Sequence, residues 1–149
     1  MLVEVSVSIQ GSAAAVWAAM IDIEHAADFI RGIEKIEIVD KPANGLVGLR
    51  WRETRILFGD SATVEKWITD ATDNVCYKTR AESDGFIFLS TTSIAARDGG
   101  VTLSSVHDSQ PQTLLRKLFA VPMMFLFQSV AKKALLKDLV DIKTYVEQH

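Results

Sequence analysis

The sequence predicts an α+β fold: a seven-stranded curved antiparallel sheet wrapped around a long C-terminal helix, with two short helices between strands one and two. Three observations predict it. Residues 3–10 alternate apolar and polar with period two, and so do most segments between 33 and 109. Turn clusters at 41–45, 59–60, 70–74, 83–85 and 98–100 divide that stretch into hairpin lengths. Beyond Pro111 the apolar spacing becomes helical and stays so.

Each element has a local cause. Val3, Val5, Val7 and Ile9 alternate with Glu4, Ser6, Ser8 and Gln10, a strand with one wet face. Gly11 breaks it, and Ser12 is a good N-cap for a helix over 13–20 with Val16, Trp17, Met20 and Ile21 as its apolar stripe. Asp22 can cap a second short helix over 23–29, and Gly32 ends helical structure. Strands follow over 33–39, 49–58, 62–69, 75–82, 86–96 and 101–109, and Pro111 stops the last. A helix is expected over 123–147. Pro122, which removes a donor and disfavours helix at the residue before it, should separate that helix from whatever precedes it. Phe127, Ala131, Leu135, Leu139, Ile142 and Val146 form its stripe, with Lys132, Lys133, Lys137, Asp141 and Thr144 elsewhere around it.

Composition narrows the function classes. The 149 residues are 48% hydrophobic and 23% charged, ordinary for a single soluble domain with a full core. Net charge is −3, which supplies no electrostatic footprint for nucleic acid. The single cysteine, Cys76, excludes an internal disulfide and a Cys-rich metal site. No basic region followed by an apolar stretch opens the chain, and the longest apolar run, 118–127, is half of the ~20 residues a spanning helix needs. A cytoplasmic domain without stable membrane insertion is expected.

Seven twisted strands curve strongly, and one helix cannot fill the concave side of so wide a sheet. Large side chains fill the gap, or a cavity remains that is apolar with a few polar groups, the usual form of a small-molecule site. Strand phase nominates its walls. Trp51, Glu53, Arg55 and Leu57 share the more apolar face with Ala62, Val64, Lys66 and Ile68, while Arg52 and Trp67 make a cation–π pair on the other. Phe86, Phe88, Ser90, Thr92 and Ile94 share one face, and a three-residue loop at 98–100 aligns them with Val101, Leu103, Ser105 and His107. One of Cys76 and Tyr77 faces inward, and Tyr77 is the candidate. Trp17 and, from the C-terminal helix, Phe127 and Ala131 complete the expected cavity lining.

Four features carry a chemical reading beside a bland one. Glu53 in the cavity is a general base with a raised pKa, or half of an ion pair with Lys66 or Arg55. His107, with Ser90 or Thr92, orients a ligand carbonyl or hydroxyl, or is a strand-end histidine, wet or bonded to backbone. His25 and Asp28 have the i, i+3 spacing that could begin a metal site, yet no second histidine stands at ligand spacing, so neither metal nor cofactor is expected. The 118–127 segment is apolar on every side and reads as covered core, ligand portal, dimer contact or membrane-touching patch. A homodimer stays open.

The order of elements resembles the START-like, or helix-grip, superfamily (SRPBCC), and within it the polyketide cyclase/dehydrase and lipid-transport type. The carrying pieces are the opening Val-x-Val-x-Ile strand followed by Gly-Ser-Ala-Ala-Ala-Val-Trp-Ala-Ala-Met-Ile-Asp (11–22), Gly-Leu-Arg-Trp-Arg-Glu-Thr-Arg (48–55), Asp-Gly-Gly-Val-Thr-Leu (98–103) and the amphipathic C-terminal helix. The resemblance covers essentially the whole chain, 1–149, as one domain. It implies a container for a small hydrophobic or amphipathic ligand such as a lipid, polyketide-like or aromatic metabolite. Superfamily members also include cyclases and chaperone activators, so an enzyme using polar cavity residues and a protein-interaction domain are the alternatives. No invariant catalytic motif comes with the resemblance.

Overall fold

The computed structural model describes residues 1–57 and 59–149, without the side chains of Leu57 and of 114–127. Strand β1 (Leu2–Ile9) leads to helix α1 (Ala13–Ile21) and a 3₁₀ helix (Ile23–Asp28). Six strands follow: β2 (Ile33–Asp40), β3 (Arg50–Leu57), β4 (Asp60–Thr72), β5 (Cys76–Ser83), β6 (Phe86–Arg97) and β7 (Gly100–Pro111). Helix α2 (Leu114–Gln148) closes the chain. The strands form one antiparallel sheet in the order β1-β7-β6-β5-β4-β3-β2.

The expected caps and faces are in place. Ser12 accepts from the Ala15 amide at 3.1 Å and starts α1, whose buried side is Val16, Trp17, Ala19 and Met20. In β1, Val3, Val5 and Ile9 are buried while Glu4, Ser6 and Ser8 are exposed. The main core joins that strand to Val16, Met20, Leu103, Leu139 and Ile142. A second cluster, Ile23, Leu49, Trp51 and Ile68, lies under the 3₁₀ helix. β1 approaches β7 so closely that a Cβ on Gly100 would collide with the Ile9 carbonyl oxygen.

Three local expectations are corrected. First, α2 is continuous from Leu114 to Gln148, so Pro122 does not end it. A proline costs one hydrogen bond and some crowding, and a helix of 35 residues retains its ladder on both sides. Second, Leu57 faces Asp60, so the β3–β4 hairpin is two residues out of the expected register. A slip of two preserves the faces. It brings Arg50, not Arg52, opposite Trp67, with the guanidinium 4.2 Å from the ring centroid. Third, Arg97 faces Gly100, so the β6–β7 turn is two residues, with Gly99 at φ +80°. Two-residue hairpins need positive φ, and glycine supplies it without strain.

The loop leaving the 3₁₀ helix is fastened to α2. The helical stripe predicts Asp141 among the wet positions; instead it is buried and accepts from the Arg31 amide at 2.9 Å and from Arg31 Nε at 3.1 Å. Phe29 stacks on Tyr145 with ring centroids 4.3 Å apart. Gly32 sits where a Cβ would lie 3.2 Å from Arg55 Nη1 and 3.3 Å from Asp138 Oδ1.

Candidate functional site

The concave side of the sheet is not filled. A cavity of about 510 Å³ remains between β3–β7, the two short helices and α2. Its helix side is apolar apart from Asp138: Met20, Ile23, Ala26, Leu135, Leu139 and Ile142. Its sheet side mixes Trp51, Ala81 and Phe88 with hydroxyls, one imidazole and a group of charges.

The charges form a chain of alternating sign. Lys66 Nζ donates to Glu53 Oε2 at 2.9 Å, and Arg55 Nε donates to the same oxygen at 2.6 Å. Arg55 Nη1 and Nη2 donate to Asp138 at 3.2 and 2.7 Å, a bidentate pair from β3 to α2. Trp51 Nε1 donates to the second Glu53 oxygen at 3.3 Å. Strand period puts Trp51, Glu53 and Arg55 on one face, and Lys66 stands opposite Trp51 in the register. Asp138 arrives from α2 one turn after Leu135.

Burial alone would raise the Glu53 pKa, but Lys66 and Arg55 outweigh it and hold the carboxyl at about 2. Of the two readings of Glu53, the ion pair with Lys66 and Arg55 is the one the geometry supports, and an ionised partner of two cations is too weak a base for proton abstraction near neutrality. Burial also opposes the charge on Arg55, and Glu53 and Asp138 overcome it, raising its pKa. Asp138 is pushed up by burial, against the pull of Arg55.

The remaining polar groups pair across strands. Thr79 and Ser90 share a hydrogen bond between their hydroxyls. Tyr77 is pushed up to about 12 by burial, against its hydrogen bond with Thr92. His107 lies opposite Ser90 in the register, and its ring stacks against Phe88 with centroids 5.9 Å apart. Burial, then Lys66, depresses its pKa to about 4, so the imidazole is neutral near pH 7. Its ring nitrogens have no hydrogen-bond partner among the described residues, so the backbone bond is absent and the wet half of the bland alternative stays open.

Residues 2–147 match the family described as polyketide cyclase / dehydrase and lipid transport. The chain belongs to that family. No curated protein matches the sequence. Among solved structures, TTHA0849 from Thermus thermophilus is similar over 99% of this chain and 98% of its own, with TM-score 0.82 and 13% identity. A START superfamily protein from Mycobacterium smegmatis is similar over 99% and 97%, with TM-score 0.79 and 18% identity. The Zhui aromatase/cyclase from Streptomyces sp. R1128 is similar over 99% and 94%, with TM-score 0.78 and 16% identity. At such identities the likeness is one of fold, the helix-grip fold.

In this member of the polyketide cyclase/dehydrase and lipid transport family, the structure places Trp51, Glu53, Arg55, Tyr77, Phe88, Ser90, His107 and Ala131 on the cavity wall. Three candidates lie elsewhere. Trp17 is spent in the main core, where its indole meets Tyr77 edge-on at 6.2 Å. Leu103 is wholly buried in the same core, opposite Val7 and Ile94. Phe86 begins β6 beside the hairpin turn, opposite Pro111, and its ring stacks on Phe88. Phe127 and the other side chains of 118–127 lie outside the described residues. His25 bonds Asp22 at 2.8 Å, at the start of its own helix rather than toward Asp28. Among the described residues no group of histidine, cysteine and acidic side chains is arranged to hold a metal ion, and no helix is long and apolar enough to cross a membrane.

Sequence reasoning misses Asp138 and the apolar helix side, Met20, Ile23, Ala26 and Ile30. An alternation signal marks strand faces, but nothing local in α2 distinguishes Asp138 from the solvated charges around it.

Proposed function

We propose that this domain binds a small hydrophobic or amphipathic molecule in the cavity between the sheet and α2. The observation that supports this is the cavity itself. Protein interiors close to crystal-like density with few voids larger than a water, and this one keeps about 510 Å³ open. That volume lies within the ~300–1,000 Å³ range of small-molecule sites. The mixture is also that of a ligand site, with apolar helices opposite hydroxyls and an imidazole on strands. Had large aromatics filled the space, a protein-interaction role would have gained.

Titration with the neutral fluorophore N-phenyl-1-naphthylamine tests the reading. Saturable binding near one equivalent, lost in Ala131→Trp, is expected. Absence of binding to the folded protein overturns it. Native mass spectrometry of protein taken from its own cells would then identify what the cavity carries.

A cyclase or dehydrase activity is the second reading, favoured by His107. A neutral imidazole with free ring nitrogens on the cavity wall can polarise a carbonyl or shuttle a proton. Such chemistry would fall on His107 and not on Glu53. Loss of turnover in His107→Phe with ligand binding retained would support it.

A further inference from the structure

Resting on the cavity as a ligand site, we infer that it selects uncharged ligands bearing a hydrogen-bond acceptor, and rejects carboxylates of the same shape. The four charged side chains on its wall sum to zero, Lys66 and Arg55 against Glu53 and Asp138, and the N-terminal ammonium of Met1, which also borders the cavity, is held by the Ser109 carbonyl and Asp108. The four are also paired with one another. All three guanidinium nitrogens of Arg55 are taken, Nε by Glu53 and both terminal nitrogens by Asp138. Lys66 donates to Glu53. An incoming carboxylate would find no cation in excess and would add a third negative charge to a buried pair of them. In a site that excludes water, an uncompensated charge is the costliest thing to bring in.

Arg55 thus points its nitrogens at two carboxylates of the protein itself and not at the open space. What remains open to a ligand is hydrogen-bond donors on a wall without net charge. His107 keeps both ring nitrogens free of partners among the described residues, beside the face of Phe88. Lys66 has one recorded acceptor and two further N–H donors to offer. A ketone, ester, amide or hydroxyl oxygen satisfies either group without changing the charge of the wall. A flat apolar body then lies between Phe88 and the helix side chains.

The test uses two probes that differ in charge and little else, methyl 2-naphthoate and 2-naphthoate, each displacing N-phenyl-1-naphthylamine at pH 7. The ester is expected to displace it at concentrations at least about tenfold below the acid. Glu53→Gln and Asp138→Asn each leave one cation in excess, so the ester-to-acid ratio should fall about tenfold in whichever variant keeps its fold. Equal displacement by ester and acid in the unmodified protein overturns the inference, and so does a ratio that neither variant moves. Both results leave the cavity reading intact. Failure of the fluorophore itself to bind overturns the cavity reading and this inference together.

Discussion

Arg55 and Asp138 are joined by two hydrogen bonds, at 3.2 and 2.7 Å, across 83 residues of chain. This pair fastens β3 to α2 directly beside the cavity. Both side chains are mostly buried, at 23% and 14% exposure, so the pair belongs to the interior rather than to the solvated surface. Removing one partner of a buried pair strands the other.

Asp138→Asn is therefore expected to destabilise the domain by about 3 kcal/mol, read from the urea midpoint. Arg55→Leu should cost more, because it strands Glu53 as well as Asp138. Arg31→Ala leaves the buried Asp141 carboxylate with the backbone amide alone, so it too should lower the midpoint.

His107 and Glu53 lose their contributions in different pH windows. The folded pKa of His107 lies at about 4, below its unfolded 6.5. Between those values the unfolded chain binds the extra proton, so stability falls as pH drops from 6.5 to 4. Glu53, at about 2 in the fold, withdraws its contribution as pH drops from 4.5 to 2. Each is worth on the order of 3 kcal/mol. Urea midpoints measured every half unit should show the upper slope vanish in His107→Phe and persist in Glu53→Gln.

The two glycines of the β6–β7 turn should behave oppositely. Gly99→Ala meets open space and only backbone strain, φ +80°, costing about 1 kcal/mol. Gly100→Ala drives a methyl into the Ile9 carbonyl and should peel β1 from β7. Amide exchange along β1 distinguishes them, with protection lost only in the second.

Leu139 and Leu136 lie within one turn of α2 and differ in burial. Leu139 is 3% exposed and Leu136 39%. Leu139→Ala should cost ~2–5 kcal/mol and Leu136→Ala within about 0.5, by thermal or urea denaturation.

Alternation makes the strands and their faces readable, and so it puts Trp51, Glu53, Arg55, Phe88, Ser90 and His107 on one concave surface. It is blind to shifts of two residues, which is why it sets Arg52 opposite Trp67 in place of Arg50. Trp17 and Leu103 have the right phase, yet phase separates inside from outside and not core from cavity. Glu53 and Lys66 can be paired from sequence because they lie on neighbouring strands. Asp138 and Asp141 cannot, since their partners are set by how α2 lies across the sheet. Pro122 carries a local rule that the length of α2 overrides.

The pairing of β1 with β7 bears on how the chain folds as it is made. Every other strand pairs with its sequence neighbour, so β2 to β7 can zip up hairpin by hairpin. β1 must wait: Val5 lies opposite Ser105, and Ile9 opposite Val101. Contacts between such distant segments form late. Val5→Ala is thus expected to hasten unfolding while leaving the refolding rate nearly unchanged, the kinetic mark of a strand that latches after the barrier has been crossed.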